Sequence, residues 1–390
     1  MLGSLRIPQL RNRLSNGIGL RPSVGFTDLP QPQGSSARLS STAPSPPSFH
    51  GVNKFLTLRD FSPEQILHLV QKALTIKNQV KSGLPPPSQP FAGRTLGMVF
   101  SKRSTRTRVS CESGWAWYGG HPMFLGANDI QVGGGEPWKD TSIIVGSMVD
   151  CVLARLGEHE EVETLAQYSA APVINGLTAK FHPLQILADI MTIYESYAPT
   201  SSTSNGPLVP LNNLKVAWVG DGNNILNDLM VSLPRIGISL AAATPKGYES
   251  PEDVVEFARQ HSKGGSRGNG QMGTLTLTHD PLEAIHDADV LVTDTWISMG
   301  QETEKAKRLK DFAGYQITEA MARQGGAKAD WKFMHCLPRK SEEVDEEVFY
   351  GPRSIVWQEG ENRKYTVMAV YEMIMIDVSS SFKSIRQVRF

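Results

Sequence analysis

Cysteine is scarce in this 390-residue chain: Cys111, Cys151 and Cys336 lie far apart, with no Cys-x-x-Cys pair and no Cys/His ligand spacing. That excludes a disulfide framework and a structural zinc site, and it fits a reducing compartment. Long apolar runs are missing too. No stretch approaches the roughly 18 consecutive apolar residues a helix needs to cross a bilayer, so an integral helical membrane protein is excluded. Neither sign of charge dominates, with 39 Lys and Arg against 39 Asp and Glu, and without a basic excess nucleic acid is not an expected partner. Glycine (35) and proline (25) are too few for a low-complexity or collagen-like chain.

What is present is an ordinary globular composition, 40% hydrophobic and 20% charged. At this length it predicts two domains. The first 50 residues differ: they hold five arginines (Arg6, Arg11, Arg13, Arg21, Arg38), nine serines, seven prolines, no lysine and one acid, Asp28. Arg- and Ser-rich, acid-poor leaders of this kind direct import into an organelle, and Leu2, Leu5, Leu10 and Leu14 can line one face of a short helix, the alternative being a disordered tail. The segment is read as a transit peptide, cut near Arg38 to Ser41.

From Leu56 the apolar spacing becomes periodic, and Ser62-Pro63-Glu64-Gln65 is a helix start. Strands are predicted at 95–101, 121–125 and 151–154, with helices at 139–149 and 182–197, the latter carrying Pro183 in its first turn. After a Pro/Ser/Thr/Asn-rich stretch at 198–213 the alternation resumes. Strands at 214–219, 239–243, 274–278 and 289–293 alternate with helices at 224–237 and 251–261, and a last apolar helix at 364–380 is expected to pack back on the first half. Strands separated by helices predict an α/β fold of two domains, each a parallel sheet flanked by helices, joined by long helices. The expected division is a leader at 1–50, a first domain at 51–190 together with 364–390, and a second domain at 191–363.

Chemistry concentrates at strand ends. Ser104-Thr105-Arg106-Thr107-Arg108 sits where a strand hands over to a helix, and it offers backbone N–H groups, hydroxyls and a forked guanidinium to a phosphate. An N-capped helix with solvated arginines is equally consistent. His182 and Gln185, three apart, share the first turn of a helix and can both donate to one carbonyl oxygen, or simply cap that helix. Gly220-Asp221-Gly222-Asn223-Asn224 looks like a dinucleotide turn, but Ile225 stands where the third glycine belongs, which counts against nicotinamide binding. Asp294 to Gly300 (DTWISMG) and His335-Cys336-Leu337-Pro338 each follow a strand, and Glu361-Asn362-Arg363 is expected to precede the last helix. None of these is diagnostic alone.

Taken in order, STRTR, Arg155 in LAR, HPLQ with LAD, GDGNN, DTWISMG, HCLP and ENR make the chain, from about Phe55 to the last helix, resemble the aspartate/ornithine carbamoyltransferase family. STRT and HPxQ are shared across that family, whereas the SMG loop and HCLP point to its ornithine branch. The leader and the loops at 198–213 and 263–273 resemble those of mitochondrial, fungal-type members. The resemblance implies an enzyme that moves the carbamoyl group of carbamoyl phosphate to the δ-amine of L-ornithine, giving citrulline and phosphate for arginine biosynthesis and the urea cycle. It further implies a mitochondrial matrix location, a homotrimer with active sites shared between subunits, and no metal or organic cofactor.

Residue by residue, the resemblance implies that Ser104, Thr105, Arg106 and Thr107 hold the phosphate and that Arg155 bridges phosphate and carbonyl. His182 and Gln185 would hold the carbamoyl group, and Gln131 would reach in from a neighbouring subunit. Asn224, Asp294, Ser298 and Met299 match ornithine positions, Cys336 and Leu337 flank the reacting carbon, and Arg363 lies near its carbonyl oxygen. The chemistry agrees: amine attack builds negative charge on the carbonyl oxygen and the departing phosphate, which His182, Arg106, Arg155 and Arg363 are suited to stabilise. Ornithine's ammonium, near the lysine value of about 10.4, must first lose a proton. Asp294 and Cys336 are the candidates, with Cys336 expected as an accessible thiolate paired with Asp294. The alternatives are a carbamoyltransferase for another amine such as putrescine or acetylornithine, a nicotinamide-dependent oxidoreductase, and an inactive subunit. The intact SMG loop, the missing glycine and the complete set of chemical positions weigh against them in turn.

Overall fold

A computed structural model describes residues 47–86, 88–127, 130, 135–199, 208, 210–265, 272–297 and 302–377. Most of the leader and the site positions Gln131, Ser298 and Met299 therefore lie outside the described residues.

The first half opens with β1 (Lys54–Phe55) and α1 (Pro63–Lys81). The start of α1 is a capping box: the Ser62 hydroxyl accepts from Gln65 N–H, the Gln65 side chain accepts from Ser62 N–H, and Pro63 takes the first helical position. There follow β2 (Thr95–Phe100), α2 (Thr105–Trp117), β3 (His121–Gly126), α3 (Trp138–Met148), β4 (Cys151–Arg155), α4 (His159–Tyr168), β5 (Val173–Leu177) and α5 (Pro183–Tyr197). The strands pair in parallel in the order β1-β5-β4-β2-β3.

The second half runs β6 (Lys215–Val219), α6 (Asn224–Ser232), β7 (Ser239–Ala243), α7 (Glu252–Gln260), β8 (Leu275–Thr278), α8 (Pro281–Ile285) and β9 (Val290–Thr293). It continues through α9 (Lys305–Asp311), α10 (Glu319–Gly325), β10 (Lys332–His335), α11 (Glu346–Tyr350) and α12 (Val356–Glu372). Its sheet is also parallel, ordered β10-β9-β6-β7-β8. Central strands β4, β6 and β9 are near-continuous buried apolar runs, as strands covered by helices on both faces must be. The expected α/β fold of two parallel sheets is what the chain forms. Among the described residues no helix is long and apolar enough to cross a membrane.

Two expectations are corrected. The last helix begins at Val356 rather than at 364, so Glu361, Asn362 and Arg363 lie inside it. Polar letters interrupt the apolar spacing there, yet Glu359, Asn362 and Arg363 are buried and hydrogen-bond into α2 and α5. The helix expected at 224–237 ends at Ser232, and a 3-10 turn at Pro234–Ile236 follows it, because proline has no N–H to continue the ladder.

Helix α12 packs on α5, α1 and α2 and buries Val367, Met368, Val370 and Tyr371. A Cβ on Gly114 of α2 would stand 2.9 Å from Met368 Cγ, so that glycine lets the two helices close. A divide at residue 190 falls inside α5, which touches both α12 and α6.

Candidate active site

Both sheets direct the C-terminal ends of their strands toward one cleft, the usual ligand face of open α/β sheets. Bonds across the cleft join them: Arg106 donates to the carbonyl of Leu337, Asn224 Nδ2 to the carbonyl of Thr178 (2.7 Å), and the backbone N–H of His182 to Asp228 Oδ2 (2.5 Å).

On the first-sheet side Ser104 caps α2, its hydroxyl accepting from Thr107 N–H (3.2 Å) and donating to Thr107 Oγ1 (3.0 Å). Buried Thr107 also accepts from Arg363 Nη2 (3.1 Å), which ties α12 to the start of α2. Arg155 ends β4, and burial followed by the neighbouring charges of Arg363 and Arg106 pushes its guanidinium down to about 10. Three cationic side chains thus crowd one place and repel one another. Arg155 Nε, Arg363 Nε and His182 Nδ1 are buried without a hydrogen-bond partner among the described residues, a costly arrangement unless a ligand supplies the partners. His182 is held neutral: burial, then Arg363, Arg155 and Arg106, drive its imidazole well below the usual histidine value. It therefore offers a single N–H to a ligand.

Gln185 departs from expectation. Its Nε2 donates to Asp189 Oδ1 (2.8 Å) and to Glu359 Oε1 (3.0 Å), so both amide hydrogens point away from the site. The carbonyl Oε1 accepts from Arg363 Nη1 (2.6 Å), on the side of the arginine cluster. His182 and Gln185 therefore cannot both donate to one oxygen; Gln185 is an acceptor, because two carboxylates leave its NH2 no other orientation.

On the second-sheet side Asp294 follows β9 and Cys336 follows β10. Asn223 caps α6 with its Oδ1 and donates Nδ2 to Asp294 Oδ2 (3.0 Å). Burial raises the Asp294 carboxyl above its ordinary value, and the Cys336 thiol lies beside it, within 4.8 Å. Burial and the Asp294 charge hold that thiol well above the usual cysteine value. The expected accessible thiolate is thereby corrected: beside a buried carboxylate a second negative charge is disfavoured, and Cys336 is partly buried and protonated.

Asp294, His335 and Cys336 bring one donor atom each within 4.8 Å of one another. Both His335 ring nitrogens are nevertheless engaged. Nδ1 accepts from Leu337 N–H (2.9 Å), which places the ring proton on Nε2, facing Glu343 (3.2 Å). A metal would have to displace one of these bonds, so the trio is built for hydrogen bonding rather than ligation.

Several residues around the site carried no motif. Glu343 accepts from Trp296 N–H (3.2 Å) and Lys340 N–H (2.8 Å), pinning the two loops that follow β9 and β10. Arg308 joins Asp221 (2.9 Å) to the Trp296 carbonyl (2.7 Å). Asp228, Asp189 and Glu359 are likewise buried acids under the site. Asp189 had a signal, as the acid of the LAD run that follows HPLQ; the others had none. The Gly222 turn packs on its own half, where a Cβ would meet the Tyr248 carbonyl at 2.4 Å, so its glycine serves close backbone packing rather than a pyrophosphate.

Comparison with known proteins adds to this geometry. Residues 53–195 match the family description "Aspartate/ornithine carbamoyltransferase, carbamoyl-P binding domain", and residues 212–374 match "Aspartate/ornithine carbamoyltransferase, Asp/Orn binding domain". A relative from Emericella nidulans named mitochondrial ornithine carbamoyltransferase is 48% identical over 87% of this chain and 93% of its own length. One of the same name from Aquarana catesbeiana is 48% identical over 83% of this chain and 87% of its own. Among solved structures, a mitochondrial ornithine carbamoyltransferase from Coccidioides immitis superposes with a TM-score of 0.75 at 44% identity, covering 83% of this chain and 98% of that one. The ornithine carbamoyltransferase from Pyrococcus furiosus gives 0.75 at 40% identity, covering 84% and 98%.

Proposed function

Because this chain belongs to the aspartate/ornithine carbamoyltransferase family, we propose that it transfers the carbamoyl group of carbamoyl phosphate to the δ-amine of L-ornithine, giving citrulline and phosphate. The observation that carries this reading is the convergence of Arg106, Arg155, Arg363 and neutral His182, with buried polar atoms left unpartnered, opposite the Asp294–Cys336 pair. Mutually repelling guanidiniums favour a dianion, and a carboxylate beside a thiol donor favours an ammonium.

Ser104, Thr105, Arg106 and Thr107 hold the phosphate, and Arg155 spans phosphate and carbonyl oxygen. His182 and Arg363 face that oxygen, where negative charge grows as the amine attacks. Asp294 receives the δ-ammonium and takes its proton, with Cys336 donating to the carboxylate and Leu337 presenting its carbonyl beside the reacting carbon. The C–O bond to phosphate then breaks, and phosphate leaves into the arginine cluster. Asn224, Ser298 and Met299 hold the α-amino acid end of ornithine. No metal or organic cofactor is required by these steps.

Carbamoyl phosphate binding belongs to residues 51–190 with 364–390, ornithine binding to 191–363. The enzyme works as a homotrimer in which Gln131 completes a neighbour's site. Supporting this, Val109, Met123, Ile143, Ile144 and Met148 expose apolar side chains on α2, edge strand β3 and α3. The Arg-rich leader and the names of the relatives support a mitochondrial enzyme, working in the matrix and supplying citrulline for arginine formation. A colorimetric assay of carbamoylated product across ornithine, putrescine, acetylornithine and lysine tests the reading. Product from ornithine alone is expected; equal or greater product from another amine overturns the substrate assignment.

A further inference from the structure

Asp189 and Glu359 form a carboxyl pair beneath Gln185 that the mechanism does not use. Asp189 lies one helical turn after Gln185 on α5, and Glu359 comes from α12. All three side chains are at most 1% exposed. Each carboxyl takes one hydrogen of the Gln185 amide, at 2.8 and 3.0 Å, and the second oxygen of Glu359 accepts from His335 N–H at 2.9 Å. Burial pushes Asp189 up to about 7 and, with the Asp189 charge beside it, Glu359 well above the carboxylate range, so the two do not readily ionise together. Arg363, whose guanidinium reaches Gln185 Oε1, faces the remaining negative charge.

We propose that Asp189 and Glu359 are positioning residues that lock the Gln185 amide with its carbonyl oxygen toward the donor substrate, and that this lock selects an acyl phosphate bearing an N–H, carbamoyl phosphate, over one bearing a methyl. An unclamped glutamine amide turns either end to a ligand at little cost, and its NH2 would repel a carbamoyl NH2. With both amide hydrogens engaged from below, only an acceptor is left for the substrate's nitrogen. A site built to bond an N–H discriminates against analogues that lack it. The inference rests on the reading that Gln185 holds the carbamoyl group.

The experiment compares the KM for carbamoyl phosphate with the inhibition constants of acetyl phosphate and inorganic phosphate in the full-length enzyme. Asp189→Leu is expected to raise the carbamoyl phosphate KM roughly tenfold or more while both inhibition constants stay within about twofold. Asp189→Asn, whose amide oxygen can still accept from Gln185, is expected to keep the wild-type ratio. If Asp189→Leu is not recovered folded, Glu359→Gln serves instead, because one amide oxygen cannot satisfy both Gln185 and His335 N–H, and the same split is expected. Parallel weakening of all three ligands, or an unchanged ratio, overturns the lock. Gln185→Leu separates the two levels. If it leaves the ratio unaltered, the reading of Gln185 itself fails; if it collapses the ratio while the Asp189 and Glu359 variants do not, the lock alone fails.

Discussion

We propose that Cys336 acts as a hydrogen-bond donor. Its thiol lies within 4.8 Å of Asp294, and burial and that carboxylate hold it well above the usual cysteine value, so in this reading it steadies the acceptor's binding partner rather than supplying a charge of its own. A serine hydroxyl can make the same bond and an alanine cannot. Cys336→Ser should therefore retain turnover within about tenfold of the parent, whereas Cys336→Ala should lose roughly ten- to hundredfold, the span expected for a hydrogen bond to a charged group. Steady-state kcat and ornithine KM for the two variants decide this. Equal losses would restore the thiolate reading, since neither substitute ionises near neutrality.

At the scale of elements, the turn between β6 and α6 sets the position of Asn223, which caps the helix and reaches Asp294. Gly222 makes that turn possible. Its N–H donates to the Tyr248 carbonyl (2.8 Å), and a Cβ there would stand 2.4 to 2.5 Å from backbone atoms of Tyr248, Glu249 and Ser250. Backbone cannot swing aside as a side chain can. Gly222→Ala should cost about 1–3 kcal/mol in urea unfolding and should raise the ornithine KM more than the carbamoyl phosphate KM, because the displaced element belongs to the acceptor side. An alanine variant with parental stability would show that the turn tolerates a methyl group. The same reasoning explains Gly114, where α2 and α12 approach closely, although there the obstructing atom is a movable methionine side chain.

Across the whole molecule, Asp228 joins the halves. From α6 it accepts from the Thr57 hydroxyl (3.2 Å), Leu58 N–H (3.3 Å) and His182 N–H (2.5 Å), so a second-sheet helix holds the entry to α5. Burial outweighs these three donors and lifts its carboxyl to about 8. A folded-state value above the unfolded one means that the native protein keeps a proton the unfolded chain releases. The stability this contributes is complete below about pH 4 and declines as pH rises toward 8. The melting temperature should accordingly fall between about pH 4 and pH 8. Asp228→Asn, which cannot ionise and turns an NH2 toward one of the three donors, should melt lower throughout but with a flatter slope over that interval. Calorimetry at several pH values checks it, and an unchanged slope would assign the pH dependence to other groups. The buried Asp189–Glu359 pair contributes in the same direction, since Asp189 is raised to about 7.

The sequence by itself determined the alternation of elements. Apolar runs such as TLGMVF and KVAWV tolerate only a sheet covered on both faces, and Ser62-Pro63-Glu64-Gln65 and Ser104 start helices through local bonds that need no distant partner. The strand-end motifs were legible for the same reason, because short-range geometry puts their residues at one rim. Tertiary structure decided the rest. Arg363 reaches Thr107 across 256 positions, Gln185 is turned by an acid 174 positions away, and Cys336 keeps its proton because folding buries it beside Asp294. Neither an amide's orientation nor a thiol's charge is written in local spacing, since both depend on which distant groups displace water from around them.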